Sequence, residues 1–196
     1  MKKLSAILLV LVSVTMAACS PGASVASSMS DVAGLTPKYR NILLRDFRTV
    51  KDGVVVNYNI GTAAHCPGTL AVLRRMLPDD VGITVWADAP LCPELQEMMD
   101  RRWPDVHFVY GKLSSDTAGE LRDAVDRSDL LLVSSGSSVA SSVKASVDSY
   151  RALTGKSVAA YAVGSVPDDL APLMDFCWIR DEKSLGKYAG IPSVCG

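Results

Sequence analysis

The sequence predicts an α/β fold, a Rossmann-like parallel sheet with helices on both faces. Short apolar, β-rich runs recur along the 196 residues with amphipathic stretches between them. That alternation is the signature of right-handed crossovers between parallel strands. Hydrophobic residues make up 48% of the chain but aromatics only 6%, so Val, Ala and Leu must fill the interior, as in strands buried on both faces. Prolines open two of the amphipathic stretches and glycines close two others, as helix starts and stops require.

The elements follow in order. Asn41 to Phe47 reads as the first strand, followed by a long loop in which Lys51 to Tyr58 resembles an insertion. Pro67 to Leu77 is a helix with Leu70, Leu73 and Leu77 on one face and Pro67 in its first turn. Ile83 to Ala87 is a strand, Pro93 to Trp103 a helix stopped before Pro104, and Val106 to Tyr110 a strand. Ala118 to Arg127 is a helix with Asp116 or Thr117 as its cap. Leu130 to Val133, the most apolar run after the N-terminus, is expected to be a central strand. Val139 to Leu153 is a helix ended by Gly155, and Val158 to Val163 the next strand. A short helical stretch spans Asp168 to Met174, then a strand Phe176 to Ile179 and a short helix Glu182 to Ala189 closed by Gly190. Ile191 to Val194 opens a further strand.

The N-terminus has a different character. Lys2 and Lys3 precede an apolar run from Ile7 to Val14, broken only by Ser13, which is the layout of a secretory signal and is too short to span a bilayer comfortably. Met16-Ala17-Ala18-Cys19 resembles a bacterial lipobox. The resemblance implies cleavage before Cys19 and lipidation of that cysteine, with residues 1–18 as signal peptide. Residues 19–38 are rich in Ser, Ala and Gly and form a flexible tether. The expected location is therefore the cell envelope, with membrane attachment through lipid. Residues 39–196 form one domain of about 160 residues, enough for a sizeable core. A formal net charge of −1 gives no basic surface for nucleic acid.

Cys66, Cys92, Cys177 and Cys195 remain, an even number that allows three pairings in an oxidising compartment. One or two disulfides, or buried thiols, satisfy the count. A Cys66–Cys92 bond is expected, because both residues fall near helix starts on one sheet edge. No CxxC or HxxxH spacing supports a metal site, and no cofactor is implied.

Ligands of open parallel sheets collect beyond the carboxyl ends of the strands. Three segments fall there. Asn59 to Gly68 contains Asn59, Gly61 and His65; Ser134 to Ser138 contains Gly136 and Ser137; and Arg180-Asp181 is followed by Ser184. Small residues admit close backbone approach, hydroxyls suit a sugar or phosphate, and an arginine suits an anion. Ordinary turn chemistry and a local Arg180-Asp181 ion pair account for the same residues. There is no GxSxG, Walker loop or GxGxxG, so hydrolase, NTPase and dinucleotide readings lack their usual support.

Together, Asn59-Ile60-Gly61, Ser128 to Gly136, Thr154 to Val158 with Gly164, and Trp178 to Asp181 with Ser184 and Gly190-Ile191 resemble the polysaccharide pyruvyl transferase family. The likeness runs from about Asn41 to the C-terminus, in the family's order. It implies one half of a glycosyltransferase-B fold and transfer of pyruvyl from phosphoenolpyruvate, as donor substrate, to a hydroxyl pair on an envelope or extracellular polysaccharide. Asn59, Gly61, His65, Gly136, Ser137, Arg180, Asp181 and Ser184 would then bind substrate. Thr62 stands where the family has aspartate, and neither His65 nor His107 matches its catalytic histidine, which belongs to a second domain. The expectation is therefore a transferase-like domain incomplete as a catalyst. The alternative is a non-catalytic, membrane-anchored glycan-binding or scaffold lipoprotein, which the export signal favours because phosphoenolpyruvate is cytosolic.

Overall fold

A computed structural model describes residues 39–46, 50–55, 60–134, 142–164, 166–179 and 193–195. In chain order the strands are β1 Asn41–Arg45, β2 Val50–Lys51, β3 Val54–Val55, β4 Gly82–Ala87, β5 His107–Tyr110, β6 Leu130–Ser134, β7 Ser157–Val163, β8 Phe176–Ile179 and β9 Ser193–Cys195. The α-helices among the described residues are α1 Ile60–Met76, α2 Pro93–Arg102, α3 Glu120–Arg127 and α4 Ser142–Thr154, with a 3-10 turn at Ala171–Leu173.

Among the described residues, seven strands form one sheet in the order β5-β4-β1-β6-β7-β8-β9, and every neighbouring pair is parallel. The expected α/β Rossmann-like sheet is the observed one. Strand β6 lies at its centre, and the side chains of its neighbour β1 alternate between two cores. Ile42 and Leu44 join Leu70 and Leu73 of α1, Leu77 just after it, and Leu95 and Met99 of α2 on one face. Leu43 joins Leu121 and Val125 of α3 and Val143, Val147 and Tyr150 of α4 on the other. Helices therefore cover both faces, which is why the central strands read as continuous apolar runs.

Three features differ from the sequence expectation, each for a local reason. Helix α1 begins at Ile60 and carries Pro67 in its interior. Its buried stripe includes Cys66, Leu70, Leu73 and Leu77, so the helix is packed on both sides of the proline, which holds it through that position. The long loop after β1 contains the β2–β3 hairpin, turned at Asp52 and Gly53 with φ of 51° and 81°. Both angles suit the two-residue turn that matches strand twist, and Asp-Gly is its favoured pair. Helix α3 is capped by Gly119 and not by Asp116 or Thr117. The Thr117 hydroxyl is engaged elsewhere, accepting from Ser114 N at 2.8 Å and donating to Lys112 O at 3.2 Å. Helix α4 is described only from Ser142, and Gly155 closes it with φ of 61° and its N–H on Arg151 O. The short helix expected at Glu182 to Ala189 lies outside the described residues, as do residues 1–38, where a signal peptide, a lipidated Cys19 and a tether are expected.

No helix among the described residues is long and apolar enough to cross a membrane.

Candidate functional site at the carboxyl edge

The sheet changes direction between β1 and β6. From β1 the chain moves outward through β4 to β5, then returns to β6 on the other side of β1 and proceeds through β7. In open α/β sheets this reversal leaves a crevice above the carboxyl ends of the two strands.

The side chain that dominates this edge is one the sequence reasoning missed. Arg45, the last residue of β1, is only 2% exposed. Alternation along β1 turns it toward α3 and α4, beneath the edge. Its Nη1 donates to Asp46 O at 2.7 Å and to Trp86 O at 3.1 Å, and its Nε to Ser146 Oγ of α4 at 3.3 Å. Its Nη2 forms an ion pair with Asp88, just beyond β4. The guanidinium carbon stands 4.3 Å from the Trp86 ring centroid, a cation–π geometry. Burial lowers the Arg45 pKa below the usual value, and the charge and hydrogen bond of Asp88 oppose that shift. One arginine thus ties together the ends of β1 and β4 and the first turns of α4. Its only sequence signal was a charge at the end of an otherwise apolar strand, Asn41-Ile42-Leu43-Leu44-Arg45.

Further contacts stiffen the edge. Trp86 Nε1 donates to Gly111 O at 2.8 Å, and Gly111, at φ of 120°, donates its N–H to Ala87 O at 3.0 Å. Val55 of the hairpin donates to Pro90 O and accepts from Cys92 N, so the hairpin is stitched to the β4–α2 loop. Strand β7 carries a bulge between Ala160 and Val163, with Ala162 at φ of 53°. Asp88 keeps 39% of its side chain exposed, and Arg45 is its partner among the described residues.

Asn59, Gly136, Ser137, Arg180, Asp181 and Ser184 lie outside the described residues. Gly61 stands in the first turn of α1 and not in a loop ahead of the helix, because α1 starts at Ile60. His65 is half-buried in the second turn of the same helix. Cys66 and Cys92 do not form the expected disulfide: both are thiols, as is Cys177. The earlier helix start is the reason. It moves Cys66 from a helix terminus into the buried stripe of α1, whereas Cys92 remains the N-cap of α2. Burial pushes the Cys177 thiol up to about 12, with a hydrogen bond from the Ala160 backbone opposing the shift. Among the described residues, no group of three or more His, Cys, Asp or Glu side chains is arranged to hold a metal ion.

A scan against protein-family models finds no match, and no curated protein matches the sequence.

Proposed function

We propose that this chain is a polysaccharide pyruvyl transferase-like α/β domain of the cell envelope, tethered through Cys19, that takes an envelope polysaccharide at the carboxyl edge of its sheet. The observation that supports this reading is the reversal of strand order between β1 and β6. Segments carrying the family resemblance follow β6 and β8 directly and follow β1 after the β2–β3 hairpin, and the carboxyl ends of these three strands share that edge. In the proposed reaction, two sugar hydroxyls add to the enol carbon of phosphoenolpyruvate, phosphate leaves, and a ketal remains. Incubating the full chain with phosphoenolpyruvate and envelope polysaccharide should give the ketal methyl signal by proton NMR, with phosphate released in equal amount.

The fate of Arg45 favours a second reading, a glycan-binding lipoprotein without turnover. It is buried at this edge, and it is committed to Asp88, two carbonyls and Ser146. Neutral glycan hydroxyls suit such an edge better than a donor phosphate. Calorimetry with the same polysaccharide separates the two: heat of binding without ketal supports the binder, and neither heat nor ketal overturns both.

A further inference from the structure

The opposite edge of the sheet holds a cavity of about 200 Å³, lined among others by Asn41, Gly82, Thr84, Asp105, His107 and Arg127. These residues sit where β1, β4 and β5 begin and where α3 ends. In the same measure a single water needs roughly 10–15 Å³, so the space suits a small polyatomic group.

Its charges are unevenly committed. The carboxylate on its wall, Asp105, is in an ion pair with Arg74. Asp129, close by, accepts from Arg40 N and Asn41 N at 2.9 Å each and from Asn41 Nδ2 at 3.3 Å. The side chains of Arg127 and His107 make no hydrogen bond or ion pair with the described residues. An arginine in the last turn of a helix ordinarily serves the terminal carbonyls and the helix dipole. Here Lys156 has taken that role, donating to Asp126 O at 2.6 Å and Ser128 O at 2.7 Å. Ser128 supplies the rest, its N–H on Ala124 O and its hydroxyl on Val125 O. The dipole that would repel an anion is thus offset, and the Arg127 guanidinium is left without its usual partners. The imidazole of His107 offers an N–H in either protonation state.

We propose that this amino-edge cavity is a binding site for a phosphate group, held by the guanidinium of Arg127 and the imidazole of His107. A guanidinium fork beside a second N–H donor matches the oxygens of a phosphate. The chain enters the domain at this edge, through Tyr39 and Arg40 into β1. If the tether is lipidated at Cys19, as proposed above, it joins the domain at the edge that holds the cavity, so a membrane surface is within its reach. The phosphate then has two possible sources, free phosphate or a lipid headgroup. The cavity itself is independent of the glycan reading at the other edge.

The test uses the full chain with two probes, inorganic phosphate by calorimetry and vesicles of phosphatidylcholine with or without phosphatidate by flotation. Binding of inorganic phosphate that weakens at least about tenfold in Arg127→Gln, the loss expected for a charge-assisted contact, supports the site with a free ligand. Phosphatidate-dependent flotation lost in the same variant supports the headgroup as the source. His107→Asn should weaken whichever binding is found. Arg122→Gln should not, because that guanidinium is paired with Asp126. Absence of both kinds of binding, or binding unchanged in Arg127→Gln and His107→Asn, overturns the proposal. Thermal unfolding of each variant separates lost binding from lost folding.

Discussion

The two edges of this sheet each hold an arginine, and they use it in opposite ways. At the carboxyl edge, Arg45 is buried, stacked on Trp86, and bonded to two carbonyls, a hydroxyl and a carboxylate. At the amino edge, Arg127 ends an exposed helix turn with no partner among the described residues, because Lys156 bonds the carbonyls it would otherwise serve. A buried guanidinium costs too much to leave unpaired, so it must be satisfied by the protein and becomes a brace. An exposed one can remain unpaired because water solvates it, and it is then available to a ligand. Burial therefore separates a residue that positions the fold from one that can recognise a partner.

The contrast can be broken most directly at Arg45. Arg45→Met should destabilise the domain by roughly 3 kcal/mol in urea unfolding, the lower end for breaking a buried pair because half-exposed Asp88 can be rehydrated. A loss near zero would mean that the brace is ornamental. Arg45→Lys should recover only part of the stability, since an ammonium cannot reproduce the fork.

The interior between the edges makes a pH prediction. Cys177 in β8 is fully buried and its thiol is pushed up to about 12. Above the ordinary thiol range, near 8.5, the unfolded chain releases a proton that the folded chain retains, so stability falls as pH rises. Linkage gives a loss on the order of 1.4 kcal/mol per pH unit in that window. Cys177→Ala should flatten the alkaline limb of a stability–pH profile while leaving the neutral region little changed in slope. In the native protein Cys177 should resist thiol reagents, and half-buried Cys92 should react.

A smaller effect sharpens the role of Lys156. Lys156→Met removes a cation and two hydrogen bonds from the end of α3, and should cost about 1 kcal/mol. It should also weaken phosphate binding, because Arg127 is then drawn to the vacated carbonyls. The smallest expected change is Arg127→Gln itself, within about 0.5 kcal/mol in stability, although it is the variant expected to weaken phosphate binding most directly. Large stability loss at Arg45 with little at Arg127 upholds the contrast, and the reverse order removes it.

Much of this architecture was legible in the sequence. The run Leu130-Leu131-Leu132-Val133 announced a strand buried on both faces, and it lies beside β1 at the centre of the sheet. Pro93 marked the start of α2, and Gly155 marked the end of α4. The Asp52-Gly53 pair carried a hairpin signal that was there to be read. Pro67 misled because a proline normally opens a helix, while the buried stripe of α1 begins at Cys66. The disulfide expectation failed with it, since the position of Cys66 in the helix was inferred from that proline.

The sequence by itself determined the alternation of strands and helices and the parallel class of the sheet. Each depends on residues close together in the chain, where periodicity, propensity and capping act. Only the tertiary structure decided that β1 lies between β4 and β6, that Arg45 is buried against Trp86 and Asp88, and that Lys156 reaches the end of α3. Those contacts join residues tens of positions apart. Chain closure and packing select them, and no local pattern encodes them.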